Sequence, residues 1–332
     1  MNGTAIAGRA REDRKGAIGA NAMQKLLAFV SLVVLLLIFT LASPNFFQAE
    51  NLVAIMLATA VNGVLAIGVT FVIVTSGIDL SIGTLMTFCS VMAGVFLTYW
   101  RMPIWVGVLG ALASGALVGA TSGFLVSKLK IPAFIATLGM LNVTKGLSLI
   151  ISRLKPIYFN DSPGFYDIAM GSIIRLPGFE IPNAVLILFA LAIVMSFVLN
   201  NTVLGRYTFA LGSNEEAARL SGVNVDRWKI AVYSLCGLVC GIAGILMGSR
   251  LNSAQPALGQ GYELDAIAAT VIGGTSLSGG EGTILGTIIG AFIMSVLTNG
   301  LRILSVPQEW QTVVTGVIII GAVLLDILRR KK

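Results

Sequence analysis

Charged positions along this chain are so widely spaced that the gaps between them define its class. Uncharged stretches of 24, 28, 21 and 26 residues separate Lys25 from Glu50, Glu50 from Asp79, Asp79 from Arg101 and Arg101 from Lys128. Further stretches of 25, 20 and 20 lie between Glu180 and Arg206, Lys229 and Arg250, and Glu281 and Arg302. A helix needs about 20 apolar residues to cross the hydrocarbon of a bilayer. The pattern therefore predicts an all-α fold, a polytopic transmembrane helical bundle of about ten spans. These fall near residues 26–42, 52–75, 84–100, 104–126, 133–152, 183–200, 230–248, 264–275, 283–304 and 311–327. The eighth is short for a crossing and is expected to be a half-helix or re-entrant segment buried in protein.

Basic residues orient the set. Ten crossings put the arm 1–25, the Lys128/Lys130 turn, the segment 201–229 and the tail 329–332 on one side, and these hold most of the Lys and Arg, as cytoplasmic segments do. Both termini are thus expected in the cytoplasm. The loop 153–182 falls outside, its cations Arg153, Lys155 and Arg175 balanced by Asp161, Asp167 and Glu180. One membrane domain, 26–328, is expected between arm and tail. The apolar run from Leu26 is read as the first span: it is longer than a signal core, and Ser43-Pro44-Asn45 is no small-residue cleavage site.

Composition narrows the chemistry. Hydrophobic residues make up 56% of the chain and there are 38 glycines, beyond what a soluble domain carries. The net charge of +7 sits at span edges, so nucleic-acid binding is not expected. Histidine is absent, which removes Ser-His-Asp and Cys-His nucleophiles and histidine metal ligands; no metal site is expected. Cys236 and Cys240, four apart on an apolar helix, suit packing. Glycines at 115, 119 and 123, at 237 and 241, at 244 and 248, and at 282, 286 and 290 suit close helix approach.

Two breaks interrupt apolar helices. Gly77-Ile78-Asp79-Leu80-Ser81-Ile82-Gly83 and Gly274-Thr275-Ser276-Leu277-Ser278-Gly279-Gly280 share Gly, Leu, Ser and Gly at matching offsets, which leaves an internal duplication open. Broken helices in membranes are tolerated where they are buried or line a wet cavity, and transporters use their ends as ligand sites. Asp79 has two readings: an N-cap for the helix that begins near Ile82, or a carboxylate kept in a translocation path. Lys145 has two as well, snorkelling to an interface or a pathway role.

The most informative polar segment follows the sixth span. Ser213 and Glu216 form a capping box, Glu215 and Glu216 suit a helix N-terminus, and Gly222 suits a left-handed C-terminal position. A helix of two turns is marginal in water, so this one needs a surface to lie against.

The segment Gly212 to Gly222, the Gly77–Gly83 break, Ile131-Pro132-Ala133-Phe134-Ile135-Ala136-Thr137-Leu138-Gly139 and the run from Gly261 to Gly280 together resemble the permease of bacterial ABC importers of the ribose/monosaccharide class, over essentially Phe46 to Ile327. The resemblance implies an inner-membrane subunit, not an enzyme, that pairs with a second permease copy, either identical or a paralogue. It also implies a periplasmic sugar-binding protein and a cytoplasmic ATPase with two nucleotide-binding domains. ATP and Mg would sit on that ATPase and no cofactor on this chain, which has no G-x-x-x-x-G-K-[ST] loop. By the same resemblance, Gly212, Ser213, Asn214, Glu215, Glu216, Ala217, Ala218, Arg219 and Gly222 would couple to the ATPase, and loop 153–182 is expected either to receive the binding protein or to be a solvated connector.

Polar groups on apolar spans, Asn62, Thr70, Thr137, Asn142, Thr270 and Asn299, are candidates for the sugar path, with helix-to-helix hydrogen bonding as the competing role for each. A branched-chain amino-acid permease, a secondary transporter and an integral-membrane enzyme are the other classes. Asp79-Leu80-Ser81 and the 212–222 run favour sugar over amino acid. A secondary transporter has no need of a capped cytoplasmic helix, and the enzyme lacks convergent acid, base or metal groups.

Overall fold

In the computed structural model, residues 26–176 and 179–330 are described; the arm 1–25 and the last two residues of the tail 329–332 lie outside them. Among the described residues, seven helices are long and apolar enough to cross a membrane: α2 (Ala49–Val74), α3 (Ile82–Gly94) continued by a π turn to Tyr99, α4 (Ile104–Ser127), α5 (Ala133–Ile151), α7 (Asn183–Asn201), α10 (Val225–Leu251) and α12 (Ile284–Ile303). The apolar helix α1 (Leu26–Ala42) and the helix α13 (Gln308–Arg330) flank them. The chain is thus an all-α, multi-pass helical protein. Sheet is confined, among the described residues, to two small ladders.

The apolar content of each helix sorts them into centre and shell. Helices α2 and α3 are 72% and 78% buried along their most apolar windows, whereas α4 is 22% buried. The predicted glycine ladders explain how the centre closes. On α4, Gly115, Gly119 and Gly123 face Gly237, Tyr233 and Ile230 of antiparallel α10; a Cβ on Gly115 would strike the Gly237 carbonyl, and one on Gly237 would strike that of Gly115. Backbones in lipid approach this closely only where side chains are absent. Cys89, Cys236 and Cys240 are buried free thiols in this packing, as expected for Cys236 and Cys240.

Two elements begin partway along their neighbours. Gly244 and Gly248 of α10 pack on Met86 and Ser90 of parallel α3, so the start of α3 at Ile82 lies level with Cys240. That is fifteen residues, about 22 Å, from the start of α10. The eighth expected span is the eleven-residue helix α11 (Tyr262–Ile272), about 16 Å long and too short to cross alone. The strand β4 (Ser253–Ala254) before it pairs with β1 (Ile157–Tyr158) beyond the far end of α10, while Ser278 and Gly280 after it reach the opposite end. Coil and half-helix together therefore travel the length of the bundle.

The 153–182 segment is more than a connector. It folds into β1, the short helix α6 (Phe165–Met170) and a hairpin of β2 (Ile174–Leu176) with β3 (Phe179–Ile181). Helix α6 is fastened to α10: Ser249 Oγ accepts from the Ala169 amide at 2.9 Å and donates to the Phe165 carbonyl at 2.7 Å.

Candidate functional site

After α7 the chain enters α8 (Val203–Ser213), turns at Asn214 and forms α9 (Glu215–Leu220) before α10. Asn214, not Ser213, is the N-cap of α9; its Oδ1 accepts from the Ala217 amide at 2.9 Å. The expected Ser213–Glu216 capping box is corrected because a helix not expected from the sequence, α8, runs through Ser213 and passes the cap to the next competent side chain. The C-terminal expectation holds. Gly222 has φ +84°, its amide donates to the Arg219 carbonyl, and the Val223 amide donates to that of Ala218. These two bonds make a Schellman closure.

A helix of six residues does not stand alone, and this one is anchored on one side. Ala218 is buried with Leu211 and Val225, flanked by Val223 and Trp228. Glu215 joins Lys229 of α10 at 2.6 Å and Arg219 at 3.0 Å. Partial burial pushes the Glu215 carboxyl upward, but the hydrogen bond and charge of Lys229, then Arg219, outweigh it and hold it below the usual range. The other side, Glu216, Ala217, Arg219 and Leu220, is exposed, and Leu220 is 81% exposed.

What lies behind this helix was not readable from sequence. Ser76, at φ +60° just past α2, donates its hydroxyl to the Ser278 carbonyl at 2.7 Å and contacts the Gly212 carbonyl at 3.2 Å. The Gly280 amide donates to the Val74 carbonyl at 2.9 Å. A Cβ on Gly212 would strike that same Val74 carbonyl. The two helix breaks and the α8–α9 turn thus meet at one point. Beside it opens a cleft of about 590 Å³ whose lining includes Gly77, Lys130, Pro132, Asn214 and Glu215. Ser76 and Lys229 were missed; only the position of Ser76 beside a glycine break hinted at its role.

From Ser76 the chain turns back into the bundle. Ile78 offers its carbonyl to the Tyr233 hydroxyl at 3.2 Å, and Asp79 is fully buried. Its Oδ1 accepts from the Ser81 amide at 2.9 Å and the Ser81 hydroxyl at 2.6 Å, while Oδ2 has no partner among the described residues. The expected cap is corrected here too. Ser81 is the N-cap position of α3, and no side chain caps that helix. A carboxylate two residues upstream closes a tight turn on Ser81 instead of reaching the helix amides beyond it.

The six other path candidates do not form one cluster. Thr70 on α2 bonds Thr287 of α12 at 2.8 Å, and Thr270 of α11 donates to Ala266 of its own helix and, at 3.3 Å, to Ala66 of α2. Asn299 donates to Asn51 at 2.9 Å. These three tie helices together, which is the competing role. Thr137 bonds its own helix at Ala133. Asn62 is buried with Oδ1 unpartnered among the described residues. Asn142 is exposed on α5 and donates to the Leu138 carbonyl. Lys145, one turn further, does not snorkel along its helix; its ammonium donates to Gln260 Oε1 at 2.9 Å.

Known proteins share this sequence along most of its length. Residues 51–323 match the family model described as branched-chain amino acid transport system / permease component. The ribose import permease protein RbsC of Escherichia coli K12 is 44% identical over 90% of this chain and 92% of its own length. RbsC of Bacillus subtilis is 42% identical over 93% and 94%, and the fructose import permease protein FrcC of Rhizobium meliloti 38% identical over 92% and 86%.

Proposed function

Because the chain belongs to the family of transport-system permease components, we propose that it is the membrane-spanning subunit of an ATP-driven bacterial importer that passes a ribose-like monosaccharide across the inner membrane. It is a transport subunit, not an enzyme. The family description names amino acids, but the relatives at 38–44% identity are named for ribose and fructose, which favours a sugar over a branched-chain amino acid.

One observation carries the mechanism: the small helix α9, held on one face and bare on the other, rests on the point where both helix breaks touch through Ser76. A partner that pushes or pulls α9 moves Gly212, and Gly212 is packed against the backbone of Val74 with no room to slip. Displacement at α9 is thus handed to the ends of α2 and of the 274–280 loop, and through them to α3, α11 and α12. We assign Gly212 to Gly222 as the coupling segment, with ATP and Mg on a cytoplasmic ATPase that has two nucleotide-binding domains. A periplasmic sugar-binding protein would load the opposite end, where α6 and the β2–β3 hairpin form a fixed platform, and a second permease subunit would complete the channel. Ten crossings follow if the coil before α11 and α11 count as one, which places both termini on the α9 side, in the cytoplasm.

The test is uptake. Cells that express this chain with an ATPase and a binding protein from the same operon should accumulate labelled ribose, or one of xylose, arabinose, galactose and fructose, in an ATPase-dependent way. Accumulation of leucine and of none of these sugars would overturn the cargo.

A further inference from the structure

A membrane helix that keeps a lysine and an asparagine on one bare face needs water or a polar ligand opposite that face. On α5, Asn142 and Lys145 are three residues apart and therefore neighbours. Gly139 and Gly146 lie on the same side, and a Cβ on either would meet nothing within 4 Å. Lys145 is not near the end of a helix by accident of register: the adjacent Thr144 bonds Thr84 at 2.8 Å, which sets it beside the first turn of α3, the helix that begins partway along the bundle. Its partner Gln260 reaches this level because the coil before α11 dips inward. Gly259 packs on Gly83 and Thr87, and the buried Glu263 carboxylate accepts the Gly261 amide at 3.1 Å.

We propose that Asn142, Lys145 and Gln260 form a way station for the sugar, one wall of the wet translocation path, with the opposite wall supplied by the second permease subunit. The inference rests on the reading of the chain as a sugar permease. Each hydroxyl of a neutral polyol both donates and accepts a hydrogen bond. Lys145 offers ammonium donors beyond the one held by Gln260, the Gln260 amide offers two N–H donors, and Asn142, whose amide nitrogen is turned onto Leu138, keeps Oδ1 as an acceptor. The set is polar enough to replace water around a sugar and, being on an open face, too shallow to trap it. The empty surface at Gly139 and Gly146 leaves room for cargo between the two subunits.

Two measurements on the full importer in native membranes test this. The native cysteines are all buried, so introduced thiols report with little background. Asn142→Cys and Gly146→Cys should react with a charged, membrane-impermeant thiol reagent, and transported sugar should slow the reaction several-fold. Leu117→Cys, at a 69% exposed apolar position on α4, should stay unreactive. If the α5 thiols are as inert as the α4 one, or react at a rate that sugar does not alter, the way station is wrong. In the second measurement, Lys145→Met should cut labelled ribose uptake per inserted molecule about tenfold while ATP hydrolysis stimulated by the binding protein persists. Unchanged uptake overturns the proposal. Failure of the unmodified importer to move any sugar would instead strike at the cargo assignment, and the reactivity of the two α5 thiols alone still decides whether that face is wet.

Discussion

The α9 end of the molecule and its interior both carry polar groups among apolar helices, yet only the first announces its role in sequence. At the α9 end, chemistry is local: Asn214, Glu215 and Gly222 act on amides, carbonyls and charges within a few residues, or on Lys229 one turn into the next helix. In the interior it is remote. Thr70 finds Thr287, Thr84 finds Thr144 and Lys145 finds Gln260, across 60 to 217 positions. Polar residues in a bundle must be satisfied by whatever helix packs beside them, and the sequence does not say which helix that is. The contrast predicts that changes at the α9 end act on coupling with the protein intact, whereas changes inside act on the fold and on transport together.

The strongest test of that rule is a proline within α9. The Ala218 amide donates to the Asn214 carbonyl and its side chain is buried, so Ala218→Pro removes a hydrogen bond and the anchor at once. Glu216 is a weaker place for the same change, since it sits in the first turn, where a proline costs least. Uptake should fall at least about a hundredfold in the Ala218→Pro protein, given that an interior helix proline costs about 3 kcal/mol. Its amount in the membrane should stay near normal. Transport at half the normal rate or better would separate α9 from coupling.

Next in size is the joint between the two regions. Gly212→Ala puts a methyl group into the Val74 carbonyl and the Gly280 amide, and neither backbone can yield without moving a helix break. Overpacking of this kind costs about 1–3 kcal/mol. Both ATP-coupled uptake and resistance to thermal unfolding in detergent should drop. A variant that is fully stable yet uncoupled would place Gly212 with the α9 surface and not with the joint.

Asp79 divides the two regions more finely. Asp79→Asn keeps an oxygen for the Ser81 amide and hydroxyl, whereas Asp79→Ala leaves both donors buried without an acceptor, at about 1–3 kcal/mol. The Asn variant should transport almost normally per inserted molecule, and the Ala variant should be found at lower levels. If the Asn variant is abundant and inactive, the charge itself serves transport and the turn is secondary.

These outcomes mirror what was legible. Helix existence followed from charge spacing because a bilayer imposes one length on every span; the starts of α4, α5 and α7 fall at or next to a proline or turn signal and were placed within a residue. The glycine ladders were read correctly as packing, since four-residue spacing has one geometric use on a helix in lipid. The caps were less secure. Ser213 against Asn214, and Asp79 against Ser81, are choices between competent residues one or two positions apart, decided by where the backbone leaves the preceding segment. The meeting of Ser76, Gly212 and Ser278 was invisible, because it depends on three loops folding to one point. The half-length of α11 was anticipated from the length of its segment, about twelve residues, but the inward dip of Gly259 before it was not.

The smallest effect expected is at the ion pair that pins α9 to α10. Glu215 is about two-fifths exposed, so its bond to Lys229 is partly screened and contributes on the order of 0.2–1 kcal/mol. The folded carboxyl titrates below its ordinary value of 4.5. The pair's contribution is therefore complete above that value and is lost as pH falls through the lower folded one. Coupling measured between pH 6 and 8 should not change on account of this group, and acid sensitivity should begin below about pH 4.5. Glu215→Gln should abolish that acid-dependent component while lowering uptake at pH 7 by no more than about fivefold, the equivalent of about 1 kcal/mol. A double-mutant cycle with Lys229→Met isolates the pair from the separate contact of Glu215 with Arg219. If each single change costs as much as both together, Lys229 is what holds the coupling helix in place; strictly additive losses would mean that the buried Ala218 face holds it alone.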